Sequence, residues 1–215
     1  MKNTFKDNIA FFIPYLLFLV IAGIFLLLHS KADAHLILNQ YRYSFGDVLF
    51  PYATWLGDLT AVIAVVFLLC FFKYRFALLV ALSNIFSSLI TQLLKHTLFA
   101  DVDRPTKFFE GVAHLNLVPG YENYVYNSFP SGHSTSAFTT FFCLALIIKN
   151  KLAKFFMFIL ALTVGISRIY LSQHFLNDVY AGSLIGVIVS LLIYQYLFVM
   201  KGNIEWMNKS ILKRK

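Results

Sequence analysis

Residues 167–178 read SRIYLSQHFLND and place Ser167, Arg168, His174 and Asp178 within one short stretch. His174 and Asp178 are four apart, so on a helix they share a face. A carboxylate against one imidazole nitrogen fixes the tautomer and leaves the other nitrogen free to attack an electrophile. The same pair is open to two other readings. One is a structural His–Asp hydrogen bond. The other is a metal site with His114, Asp101 and Asp103 as further ligands, although no cysteine or paired-histidine spacing accompanies it.

Two upstream segments narrow the chemistry. FPSGHSTS (129–136) reads as a helix start at Ser131, Gly132 and His133, after Pro130. There, free backbone N–H groups point outward and glycine lets a ligand approach closely. KHTLFADVDRP (95–105) adds Lys95 and Arg104. With Arg168 these make three cations, which call for an anion carrying several negative oxygens. Phosphate fits, because arginine offers a planar fork and lysine a point charge.

The elements that must position these residues are apolar helices. Of 215 residues, 59% are hydrophobic and only 13% charged, whereas a soluble domain carries about 25% charged residues. Apolar runs long enough to span a bilayer recur along the chain. The expected fold is therefore all-α: an integral membrane bundle of six transmembrane helices forming a single membrane-embedded domain over 1–215. The spans read as Ile9–Leu28, Ala53–Phe72, Phe76–Phe99, His133–Ile148, Leu152–Tyr170 and Asp178–Met200. Ala32-Asp33-Ala34 mimics a signal-peptide cleavage site. The run before it exceeds the roughly 7–15 residues of a secretory apolar core, so the first helix is expected to be retained.

Six spans put both termini on one side. Of the 18 Lys and Arg, twelve fall on that side and six on the other. By the positive-inside rule the termini are cytoplasmic, and the polar constellation sits at the extracytoplasmic face. The net charge of +8 lies beside the membrane spans rather than in a stripe with interleaved aromatics, so no nucleic-acid partner is expected. Cys70 and Cys143 lie in apolar runs and say nothing about redox compartment. The segment around Tyr41, Tyr43 and Trp55 reads as interfacial. Gly182 and Gly186 form a small-xxx-small pattern for close helix packing. His29, His35, His96 and His114 match no pattern and read as interfacial or loop residues.

These residues resemble the type-2 phosphatidic acid phosphatase family of the vanadium haloperoxidase-like superfamily. Its motifs run Lys-x6-Arg-Pro, Pro-Ser-Gly-His and Ser-Arg-x5-His-x3-Asp. The second stands here as PSGH (130–133), and the third as SRIYLSQHFLND with every spacing intact. The first departs from the pattern, with eight residues between Lys95 and Arg104 instead of six. A fainter likeness, LN…FGDVLF…LGD, begins near Leu38, so the resemblance covers about 38–195.

The resemblance implies a metal-independent lipid phosphatase with no cofactor. His174 would attack phosphorus and form a phosphohistidine, with Asp178 orienting it. His133 would protonate the leaving oxygen and then activate water. Lys95, Arg104, Ser131, Gly132 and Arg168 would hold the phosphate oxygens. The implied substrate is the terminal phosphate of a membrane lipid: a polyprenyl diphosphate, lipid A, phosphatidylglycerol phosphate or phosphatidic acid. The compact form points to a bacterial inner membrane with a periplasmic or extracellular site. A phosphotransferase passing the phosphoryl group to a second lipid, and an anion transporter, are the other readings. The oligomeric state is not legible.

Overall fold

A computed structural model describes residues 4–200 and 204–212. Lys2, Lys201, Lys213, Arg214 and Lys215, which enter the charge count above, lie outside the described residues. Among those described, the regular secondary structure is all helical, with no strand.

A short α1 (Thr4–Asp7) leads into α2 (Ile9–Leu28), which is apolar all round. Much of its surface faces outward, with Leu27 86% exposed. Such a surface suits hydrocarbon rather than water. α3 (Lys31–Asn39) and α4 (Ser44–Ala53) follow, then a 3-10 turn (Thr54–Gly57) and α5 (Leu59–Cys70). α6 (Tyr74–His96), α7 (Pro105–Phe108), α8 (Gly132–Ile147), α9 (Lys151–Tyr170) and α10 (Leu176–Tyr194) complete the order. A π-helical turn (Gln195–Met200) prolongs α10.

Among the described residues, four helices are long and apolar enough to cross a bilayer: α2, α6, α9, and α10 with its extension. The segment expected to run straight from Ala53 to Phe72 is instead two helices, Ser44–Gly57 and Leu59–Cys70, bent by 56°. Counted as one crossing, the bent pair makes five. The bend lies at a tertiary contact. A Cβ on Gly57 would come within 2.8 Å of the His133 carbonyl and 2.9 Å of Val164 Cγ1, so only glycine lets the chain press into the bundle here. The other expected spans have their helices within a few residues of the expected ends.

α8 has 16 residues, about 24 Å at 1.5 Å per residue. It sits at the centre of the bundle, packed on α6, α9 and α10, with Phe138 and Phe142 fully buried against Phe11, Phe158 and Val164. Because protein surrounds it, three of its threonine hydroxyls meet side chains of α6. Asn84 Nδ2 donates to Thr140 Oγ1 (3.0 Å), Thr139 to Ser87 (3.1 Å), and Thr91 to Thr135 (3.3 Å). Polar pairs of this kind hold helices together in lipid. Asn84, Ser87, Thr91 and Lys95 are buried on one face of α6, so this polar stripe leads to the lysine.

The tyrosines expected at the interface are exposed on the α3–α4 region, Tyr41 at 72% and Tyr43 at 48%. His35 departs from expectation. It is fully buried, with Nε2 3.3 Å from Ser172 Oγ and its ring against Phe109 and Phe175. Nothing in the spacing ADAHLILN marks which face of this short helix turns inward.

Candidate active site

Four helix ends converge at one level: the C-termini of α6 and α9 and the N-termini of α8 and α10. The turn between α9 and α10 carries His174, which is 1% exposed. His174 Nδ1 lies 3.3 Å from Asp178 Oδ2. His174 and Asp178 do not share a helix, contrary to expectation, since α10 begins at Leu176 and His174 precedes it. The four-residue spacing still works because Asp178 stands in the first turn and reaches back. Its Oδ2 accepts the Phe175 N–H at 3.0 Å and the Ser128 hydroxyl at 2.5 Å. Three donors on one carboxylate oxygen fix both side chains, and Nε2 is left as the His174 nitrogen not engaged by the carboxylate.

The second and third motifs meet through the backbone. The Ser131 N–H donates to the Asp178 carbonyl at 3.0 Å. α10 approaches α8 closely because Gly182 and Gly186 present no Cβ. At those positions a Cβ would lie 2.7 Å from the Ser131 and Thr135 carbonyl oxygens respectively. Ser131 caps α8, its hydroxyl accepting from Ser134 N (3.4 Å) and Ser134 Oγ (2.9 Å). Gly132 is the first helical residue, and a Cβ there would meet no atom within 4 Å. Its amide thus belongs to the free donors of a helix N-terminus. His133 follows, with Nε2 2.6 Å from Asp58 Oδ1.

The three cations are held by neutral oxygens. Lys95 Nζ donates to the Asn127 carbonyl at 2.8 Å. Arg104 Nε donates to the Tyr126 carbonyl (2.7 Å), and Nη1 to the Gln173 carbonyl and Oε1 (3.2 Å each). Arg168 Nη1 donates to Thr54 Oγ1 (2.7 Å) and the Tyr121 hydroxyl (3.4 Å), and Nη2 to Gln173 Oε1 (3.4 Å). Arg168 Nε is buried with no acceptor among the described residues. Burial and the neighbouring Arg168 lower the pKa of Arg104 to about 10. Burial, with Arg104, Arg168 and Lys95 around it, holds His174 well below the ordinary histidine value. At neutral pH its imidazole is uncharged, the form that can act as a nucleophile.

Between Lys95 and Arg104 the chain makes a turn at 97–101, where Asp101 adopts φ +61°. The chain then pairs with the segment before α8, through Arg104 N to Val125 O (2.8 Å) and Ser128 N to Val102 O (2.9 Å). Both cations therefore reach the same cluster despite the eight-residue spacing. Lys95, Arg104, Ser131, Gly132, His133, Arg168, His174 and Asp178 all lie in this cluster.

Sequence reasoning gave no role to Asp58, Thr54, Ser128 or Gln173, although Asp58 ends the LGD of the fainter likeness. Asp58 carried a signal, as a lone carboxylate in an apolar run. Gln173 and Ser128 lie beside motif residues but belong to no chemical pattern that spacing reveals.

A model of the PAP2 superfamily matches residues 76–200. The lipid A 4'-phosphatase of Porphyromonas gingivalis is 26% identical over 178 residues, covering 80% of this chain and 75% of that protein. Among solved structures, LpxE of Aquifex aeolicus superposes with a TM-score of 0.68 at 26% identity, covering 75% of this chain and 93% of that one. A PAP2-type phosphatidylglycerolphosphate phosphatase from Bacillus subtilis has a TM-score of 0.61 at 22% identity, covering 88% and 95%. The match takes in the polar stripe of α6, the capped start of α8 and the α9–α10 turn, and on that ground the chain belongs to the PAP2 superfamily.

Proposed function

We propose that this protein is a membrane lipid phosphatase that removes a terminal phosphate from a lipid headgroup through a phosphohistidine on His174. The observation that carries this reading is the His174–Asp178 contact set among three buried cations. Asp178 holds Nδ1, so the in-line nucleophile is Nε2. Lys95, Arg104, Arg168 and the amides at the start of α8 hold the phosphate oxygens as charge redistributes. His133 gives a proton to the ester oxygen as the P–O bond breaks. It then takes one from the water that cleaves the P–N bond, returning both histidines to their starting states.

Six crossings follow if the bent pair and the central α8 each count as one. The site then lies at the end of the bundle away from the Lys73–Arg75 and Lys149–Lys154 turns, which the positive-inside rule puts in the cytoplasm. The termini are cytoplasmic in this arrangement, and the site faces the extracytoplasmic side of a bacterial inner membrane. Lipid A is the first substrate to test, supported by the P. gingivalis relative. Phosphatidylglycerol phosphate, polyprenyl diphosphate and phosphatidic acid complete the panel. An apolar groove of about 750 Å³ between α2 and α9 reaches the first turn of α10 at Leu176 and Val179, which favours a substrate with a hydrocarbon tail.

The test is phosphate release by the detergent-purified protein from that panel, with and without EDTA. Activity is expected to survive EDTA and to vanish in His174→Ala and His133→Ala. Acid quenching with labelled substrate should trap phosphate on the wild type and none on His174→Ala. Full turnover by His174→Ala would refute the mechanism, and label moving to a second lipid instead of water would make the protein a phosphotransferase.

A further inference from the structure

The bend between α4 and α5 brings two side chains to the site that none of the three motifs contains. Thr54 Oγ1 receives Arg168 Nη1 at 2.7 Å, and four residues on, Asp58 Oδ1 lies 2.6 Å from His133 Nε2. The approach is built into the backbone, since Gly57 sits where a Cβ would collide with the His133 carbonyl at 2.8 Å. Asp58 occupies the N-cap position of α5, yet its side chain makes no capping bond. Aspartate at such a position ordinarily accepts a backbone N–H of the first turn. Here the carboxylate is turned toward the histidine instead.

We propose that Asp58 is the positioning carboxylate of His133, the counterpart of Asp178 on His174. The inference rests on the reading of His133 as the acid that protonates the leaving oxygen. An imidazole that must carry a proton among Lys95, Arg104 and Arg168, with His174 nearby, needs a counter-charge. Asp58 supplies one at hydrogen-bond distance and accepts the Nε2–H, so Nδ1 is the nitrogen that serves the substrate. In the first step the His174 Nε2–P bond forms and the P–O bond breaks, while the proton on His133 Nδ1 passes to the departing oxygen. His133 is left neutral, its Nε2–H still on Asp58. In the second step Nδ1 takes a proton from water as the water oxygen bonds to phosphorus and the P–N bond breaks. Each histidine thus has one nitrogen committed to a carboxylate and one to chemistry.

The experiment compares dodecyl phosphate with p-nitrophenyl phosphate on purified protein, reading kcat/KM. An alkoxide needs protonation to leave, whereas a nitrophenolate leaves without it. Asp58→Asn keeps the shape and removes the charge. It is expected to lower kcat/KM about 10²-fold on dodecyl phosphate, the lower end of what general acid catalysis supplies, and only a few-fold on the nitrophenyl ester. Asp58→Glu should recover part of the alkyl activity. Equal losses on both substrates would mark a merely structural residue and overturn the inference, as would wild-type rates on dodecyl phosphate. His133→Ala separates the two levels of the argument. If it is inactive on dodecyl phosphate while Asp58→Asn shows no leaving-group selectivity, the inference about Asp58 alone fails. If it turns over normally, the acid assignment fails and takes this inference with it.

Discussion

Replacing Gly182 by alanine probes how the two halves of the site are held in register. Gly182 lies one turn after Asp178 on α10, where that helix meets the start of α8. A Cβ there would stand 2.7 Å from the Ser131 carbonyl oxygen, 3.0 Å from Thr135 Oγ1 and 3.2 Å from Thr135 N. Two of these atoms are backbone and cannot rotate away. In a close-packed interior the helices must therefore part by roughly half an ångström or more. The Ser131 N–H to Asp178 carbonyl bond, now 3.0 Å, spans that gap. Parting the helices moves the His174–Asp178 pair relative to Ser131, Gly132 and His133.

Overpacking of this kind costs about 1–3 kcal/mol. The better helix propensity of alanine returns up to roughly 1 kcal/mol, so the net cost is up to about 2 kcal/mol and Tm should fall by no more than about 8 °C. Activity should suffer more, because displacement of reacting groups by about 1 Å costs on the order of 10²-fold in rate. A fall in kcat/KM of about 10- to 100-fold is expected for phosphate release from a detergent-dispersed lipid phosphate, with unfolding followed by tryptophan fluorescence. Gly23→Ala is the control. Its Cβ would meet nothing closer than the Tyr180 hydroxyl at 3.5 Å, an ordinary contact, and its kinetics should match the wild type. Wild-type kcat/KM in Gly182→Ala would refute the idea that this helix contact sets the site's spacing.

Four other perturbations bear on individual groups. Lys95→Ala should lower kcat/KM by about 10²-fold or more, the scale of losing one preorganised donor; normal kinetics would show that the lengthened first motif has carried the lysine out of the site. Asp178→Asn should lower kcat by up to about 10⁴-fold, as loss of a histidine-orienting carboxylate does elsewhere, and a loss under tenfold would refute the orienting role. In Arg104→Gln, one of the cations that hold His174 below its ordinary pKa is gone. The acid limb of kcat/KM should therefore move to higher pH, and an unmoved limb would refute that coupling. His35, which burial lowers to about 4, is neutral in the folded protein. Above pH 6.5 both folded and unfolded chains leave it neutral and stability is full. Between 6.5 and 4 the unfolded chain takes up the proton first, removing roughly 3 kcal/mol, and Tm measured across this window should fall less in His35→Gln than in wild type.

The legible part of the fold was the part written in local chemistry. Long apolar runs mark α2, α6, α9 and α10 whatever surrounds them, because a bilayer demands length and hydrocarbon. PSGH and the Arg168–His174–Asp178 spacing mark the site because cations, imidazoles and a carboxylate have few reasons to gather near a membrane. The bend at residues 54–58 was not legible as a bend. Its cause is the fit of Gly57 against His133 and Val164, a contact between distant segments. The same holds for Asp58 and Thr54, whose partners lie on α8 and α9. His35 was misread for a related reason, since its burial depends on the α9–α10 turn folding over it. Even the His174–Asp178 pair was reached by a helical argument, whereas the structure makes the contact from a turn and a helix N-terminus.

The way the cations are solvated gives the arrangement its direction. Burying an ion is expensive unless it is paired or hydrogen-bonded, and Lys95, Arg104 and Arg168 are buried. A protein that needed them only for stability would set carboxylates against them. Here the bonds to them come from the Asn127, Tyr126 and Gln173 carbonyls, the Gln173 amide, Thr54 and Tyr121. Neutral oxygens satisfy N–H geometry without cancelling charge. Of the two carboxylates at the site, Asp178 is engaged by His174, Ser128 and the Phe175 amide, and Asp58 by His133. Each carboxylate lies against an imidazole, so the positive field of the three cations stays available to an incoming anion. A transferring phosphoryl group has that charge and that many oxygens.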